Sequence, residues 1–153
     1  MIAILALVLT SAAPLPGDGP VVQVVEHYGI EVPAGYVLKD VSPKMMDFDL
    51  YALTEKRTGK VKCTLYVGNH PAFPKLRWSG KPVETRQSGG TRKEFRSSDR
   101  VEGLMTFLDV TYKDSGGSPF QTIHYLADHL RAPDLEVVTA MLDSISVAKK
   151  ELK

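Results

Sequence analysis

The chain has 153 residues, of which 43% are hydrophobic and 24% charged, and its formal net charge is +1. Those values fit one globular domain with its own core, and the near-neutral balance excludes a chain built as a whole for nucleic acid or an anionic membrane. A lone cysteine, Cys63, excludes a disulfide-stapled scaffold, so burial must carry the stability.

Ile2 to Leu9 is an unbroken apolar run, followed by Thr10-Ser11-Ala12-Ala13 and then Pro14-Leu15-Pro16-Gly17-Asp18-Gly19-Pro20. An apolar core, small residues and a breaker form the pattern of a secretory signal peptide. The run is far below the roughly 20 residues needed to span a bilayer. Thr10 and Ala12 place cleavage after Ala12, no Lys or Arg precedes the run, and no cysteine is placed for lipid anchoring. The expectation is a leader over 1–13, a linker over 14–20, a single domain over 21–147 and a C-terminal tail over 148–153, with an extracytoplasmic location, periplasmic or secreted.

The domain reads as β-rich. Val21 to Val32 contains a strand at Tyr28–Val32, ended by Pro33-Ala34-Gly35, and Ser42-Pro43 suits the start of one helical turn with Ser42 as cap. Strands are expected at 47–54 and 61–67, joined by Arg57-Thr58-Gly59-Lys60. In the second, Val61, Cys63, Leu65 and Val67 share one face while Lys62, Thr64 and Tyr66 share the other. Residues 83–87 and 92–96 flank Gly89-Gly90 as a polar hairpin. Strands over 101–112 and 120–127, joined by Asp114-Ser115-Gly116-Gly117, carry apolar groups on both faces, which suggests central strands covered on both sides. Pro133, Asp134 and Glu136 suit the start of a helix, and Leu135, Val138, Met141, Leu142 and Ile145 form its apolar stripe, with Lys149, Lys150 and Lys153 at its basic end. The fold class is therefore α+β: an antiparallel sheet of about six strands with a C-terminal helix packed on one face.

Two stretches are candidates for function. The loop leaving the buried strand, Gly68 to Trp78, gathers Asn69, His70, Phe73, Arg77 and Trp78 as candidate ligand-binding residues, and loops held by a rigid sheet are where sites sit. The stretch from Lys81 to Arg100 holds six cations against three carboxylates, a net of +3, whereas Val101 to Asp143 holds two against seven, a net of −5. Arg86, Arg92, Lys93 and Arg96 of the hairpin are candidate partner-binding residues for an acidic protein or small-molecule ligand. Cys63, on the apolar face of its strand, reads as a buried structural thiol. The histidines His27, His70, His124 and His129 show no metal-ligand spacing, and His124 on a core strand reads as a hydrogen-bonded core residue. No cofactor and no metal are expected. Ser146-x-x-Lys149 lacks the supporting motifs of penicillin-recognising enzymes.

Tyr28-Gly29-Ile30-Glu31-Val32-Pro33-Ala34-Gly35-Tyr36, the strands that follow and the closing Met141-Leu142-Asp143-Ser144-Ile145 resemble the element order of PsbP-like domains. These include the photosystem II extrinsic PsbP proteins and related Ran-binding nuclear-import factors. The resemblance, over about Tyr28 to Val147, implies an α/β/α sandwich around an antiparallel sheet and a non-enzymatic, exported protein. The chain departs from that pattern in having no long helix signal between Gly35 and Asp47. Two functions follow as expectations: an exported, non-catalytic binding or accessory domain, or a small extracytoplasmic hydrolase or isomerase with His70 as general base and Asn69 as its polar support.

Overall fold

The structure, a computed structural model, describes residues 19–25, 27–87, 89–107 and 122–147. The expected leader, most of the linker, the strand end at 108–112, the turn at Asp114–Gly117, Phe120 and the lysines after Val147 lie outside these residues.

Strands β1 (Val21–Val25) and β2 (Tyr28–Val32) form a hairpin. Then come β3 (Tyr36–Asp40), β4 (Asp49–Glu55), β5 (Val61–Gly68), β6 (Val83–Gln87), β7 (Gly90–Arg96), β8 (Val101–Phe107), β9 (Thr122–Ala127), helix α1 (Ala132–Ser144) and β10 (Ser146–Val147). Seven strands make one antiparallel sheet in the order β3-β4-β5-β9-β8-β7-β6, and β1-β2-β10 make a second of three strands. The sheet is thus larger than the six strands expected. Tyr36–Asp40, too short to show a strand alternation of its own, is drawn in as an edge strand against β4.

Period-two alternation sorts the large sheet into two faces. On one, Leu38, Leu53, Cys63, Leu65, Val67, Met105, Phe107, Ile123 and Tyr125 are buried, and α1 and the small sheet cover them. Tyr28 of β2 packs its ring 4.8 Å from Phe107, and Val138, Met141, Leu142 and Ile145 close the core from the helix side. The other face carries residues 69–82, a strap without regular secondary structure. Among the described residues no helix lies on that face, so the second helical layer of an α/β/α sandwich is not seen there. No helix among them is long and apolar enough to cross a membrane.

Several local expectations change. Ser42 caps no helix: its hydroxyl accepts from the Leu50 N–H (2.9 Å), and its own N–H donates to Asp40 Oδ1 (2.8 Å), closing the β3–β4 connection. The helix begins at Ala132 with Pro133 second, and it stops at Ser144 with no basic residue in its last turn. Instead the Gln87 amide, from β6, donates to the carbonyls of Leu142 and Asp143 at 2.9 and 3.2 Å, supplying partners for carbonyls a helix end leaves open. Lys62 was expected with Thr64 and Tyr66. The β4–β5 register shifts by one residue between Leu53 and Thr54, skipping Lys62. Such a bulge re-aims a side chain, and Lys62 reaches Asp134 in the first turn of α1 at 3.0 Å. Burial pushes the Asp134 carboxyl up, but Lys62 and Arg131 outweigh it and hold the group below its ordinary value. The ion pair locks the helix N-terminus to β5.

Gly103 shows how tightly the core is drawn. It lies opposite both Tyr125 on β9 and Glu94 on β7, and the Tyr125 phenol crosses it, so that the hydroxyl bonds Arg92 Nε at 2.7 Å and Glu94 Oε2 at 2.5 Å. A Cβ on residue 103 would collide with the phenol ring and its oxygen. Gly103→Ala is expected to lower unfolding free energy by about 3 kcal/mol, measured by urea denaturation; a change within experimental error would show that the ring has room to move.

Candidate functional site

Glu102 is the organising residue of the strap face. It is fully buried on β8, and its carboxylate accepts hydrogen bonds from the backbone N–H groups of Lys75 and Leu76 (2.9 Å for Leu76) and from Trp78 Nε1–H at 2.8 Å. His124 Nε2 meets it at 2.9 Å. Burial pushes the Glu102 carboxyl up, but the Lys75, Trp78, Leu76 and His124 donors outweigh it and hold the group below its ordinary value. Aromatic rings complete the attachment. Phe73 lies edge-on to His124 at 5.8 Å and packs against Phe95 at 5.9 Å, and Trp78 stacks on Phe95 at 5.4 Å and 10°.

The helix face carries a second polar cluster. Arg92, 6% exposed, donates through Nη1 to Asp143 Oδ1 at 2.6 Å and Gln87 Oε1 at 3.0 Å, and through Nε and Nη2 to Glu94. Glu94 also accepts from Arg96 Nε at 2.9 Å. Burial opposes the Arg92 charge, yet Tyr125, Glu94 and Asp143 outweigh it and hold the guanidinium more firmly protonated. Burial, then Glu94, pushes the Tyr125 phenol up, so it stays protonated as a donor.

The residues nominated from sequence are divided by these two clusters. Phe73 and Trp78 belong to the strap attachment. Asn69, His70 and Arg77 are exposed, and the His70 N–H donates to the Tyr66 hydroxyl at 3.3 Å. The hairpin cations do not share one face. Arg92 and Arg96 point to the helix side, Arg92 is consumed inside the protein, and Arg86 and Lys93 lie on the strap side with Lys93 3.6 Å from Glu84. Arg92 is therefore not available to a partner, because a buried guanidinium needs its carboxylates where they are. Cys63 is buried as expected, with its thiol pushed up to about 12 by burial.

Two of the nominated residues do meet. Trp78 and Arg96 line one cleft of about 420 Å³, where Lys81, Ser97 and Arg100 join them. The Arg100 guanidinium sits 4.5 Å from the Trp78 ring centroid, a cation–π distance. The one carboxylate in the wall, Glu94, is already shared by Arg92, Arg96 and Tyr125, so the cleft presents uncompensated positive charge beside an aromatic wall. His70 does not line it. The strap's organiser, Glu102, was missed in the sequence; the available signal was a carboxylate at the second position of a strand apolar on both faces.

Asp99, Asp128 and His129 bring one ligand atom each within 4.8 Å of one another. Asp99 Oδ1 accepts from Ser97 Oγ and Asp128 Oδ1 from the His129 N–H. Exposed turns gather such groups without any ion, and we assign no metal there. No protein-family model matches this chain, and no curated protein or solved structure shows significant similarity to it.

The Glu102 attachment has a measurable consequence. In Glu102→Gln the amide NH2 would face donors in place of an acceptor, the Leu76 N–H and Trp78 Nε1–H if it takes the Oε2 position, and the variant is expected to lose about 3 kcal/mol, with Trp78, the only tryptophan, shifting its emission to the red. Because the folded carboxyl sits below its ordinary value of 4.5, its stabilisation is fully present above that pH and is lost as pH falls through the lower folded value. The wild type is therefore expected to weaken on acidification more steeply than Glu102→Gln; parallel stability–pH curves would contradict the assignment.

Proposed function

We propose that this chain is an exported, soluble, non-catalytic binding domain that holds an anionic ligand in the cleft where the strap meets the β6–β7 hairpin. The observation that carries this reading is the convergence of Trp78, Lys81, Arg96 and Arg100 on one opening. The groups with the chemistry for catalysis elsewhere are held by internal hydrogen bonds, Glu102, Arg92 and Tyr125 by several each and His124 through Nε2 to Glu102, which suits a structural task rather than proton transfer to a substrate. The apolar leader followed by small residues and prolines supports export. The resemblance to PsbP-like domains, non-enzymatic and often exported, points the same way. An enzyme built on His70 gains nothing from the geometry, since that side chain is exposed and stands outside the cleft.

Two measurements bear on this. Expressed with its full leader in a secreting host, the protein recovered outside the cytoplasm is expected to begin at Ala13; recovery only in the cytoplasm with Met1 retained would contradict export. Citrate, a compact polyanion, is expected to change Trp78 fluorescence saturably in the wild type and about ten-fold more weakly in Arg96→Glu. No saturable response in the wild type would overturn the anion site.

A further inference from the structure

The Trp78 cleft is one end of a longer groove. Arg96 also lines two adjoining clefts, one of about 240 Å³ reaching Val83, Thr85 and Thr139, and one of about 390 Å³ along the flank of α1 reaching Leu135, Ala140 and Glu136. Val83 and Glu94 are shared by the first two, and Thr139 and Asp143 by the last two. The hairpin thus forms the floor and the helix forms one wall.

The groove is polarised. Arg96 runs through all three clefts, Lys81 and Arg100 lie at one end only, and Glu136 and Asp143 lie toward the other, with Asp143 still 60% exposed despite its bond to Arg92. Apolar groups lie along it, Val83 (68% exposed) near the basic end and Leu135 and Ala140 near the acidic end. The Thr139 hydroxyl, in the wall, makes no hydrogen bond among the described residues. Beside the groove, β6 ends the seven-stranded sheet, and no described strand pairs its outer edge. An unpaired edge offers backbone partners to an extended chain. A compact anion would use the basic end alone and leave the remainder empty.

From this we infer that the groove takes an extended peptide segment of polarised charge, with its acidic residues at Lys81 and Arg100, a small apolar centre near Val83 and its basic residues at Glu136 and Asp143. The inference rests on the anion-site reading above and adds the ligand class. Opposite charges at the two ends fix register and exclude peptides of the wrong pattern, which is how electrostatic complementarity yields specificity.

Fluorescence anisotropy with two labelled peptides of identical composition tests it. One carries a Glu-Glu block, a Val-Thr-Val centre and a Lys-Lys block; the other alternates the charges. The block peptide is expected to bind about ten-fold more tightly, and Lys81→Glu and Glu136→Lys are each expected to weaken it by about ten-fold. Both replaced side chains are exposed, so unchanged thermal unfolding midpoints serve as the folding control. Equal affinities for the two isomers, or block-peptide binding insensitive to Glu136→Lys, overturn the peptide inference. Citrate binding without peptide binding overturns it too while leaving the anion site standing, and absence of both removes both readings.

Discussion

A carboxylate with no access to water governs the strap face of this protein. Glu102 stands on a central strand, and among the described residues of its own sheet His124 is the one that reaches its oxygens. Leaving an ionised carboxylate in that position is prohibitively costly without donors. The chain meets the need by folding residues 69–82 back across the sheet, so that two backbone N–H groups and the Trp78 indole converge on it. The dependence is mutual: the strap has no regular hydrogen bonding of its own, and Glu102 has few other partners. With Trp78 placed in this way, its side chain becomes part of the wall of the cleft at Arg96 and Arg100.

The helix face solves a similar problem differently. Arg92 is buried among Glu94, Asp143, Gln87 and Tyr125, and it ties β7 to the end of α1. Gly103 makes this possible by leaving space for the Tyr125 ring to cross a strand. Because Glu94 is held by Arg92 and Tyr125, it only partly neutralises Arg96, and the positive character of the groove follows from that sharing. The two clusters lie on opposite faces of β7 and β8, and the cleft proposed to bind a ligand lies where their outer members, Trp78 and Arg96, come together.

Much of the architecture was legible in the chain. Alternation in Val61–Val67 and the helical stripe from Leu135 to Ile145 come from local periodicity, which a buried face enforces, and both are seen as strand and helix. What was not legible depended on distant partners. Tyr36–Asp40 becomes a strand because β4 offers an edge, and Lys62 changes face because of a bulge whose origin lies in strand register. The loop around His70 drew attention through its mix of residue types, yet His70 is exposed while its neighbours Phe73 and Trp78 pack inward. Composition alone cannot show that a carboxylate 24 residues from Trp78 organises the loop. The same applies to the hairpin: counting cations suggested one patch, whereas strand alternation sends Arg92 and Arg96 to one side and Arg86 and Lys93 to the other.

Native-state hydrogen exchange at the Trp78 indole N–H and the Lys75 and Leu76 amides tests the central claim most directly. If these groups are held by Glu102, all three exchange slowly and together, at rates set by an opening shared with β8. Exchange at the rates of a free surface loop, or independent rates for the three protons, would contradict a strap fixed by one buried carboxylate.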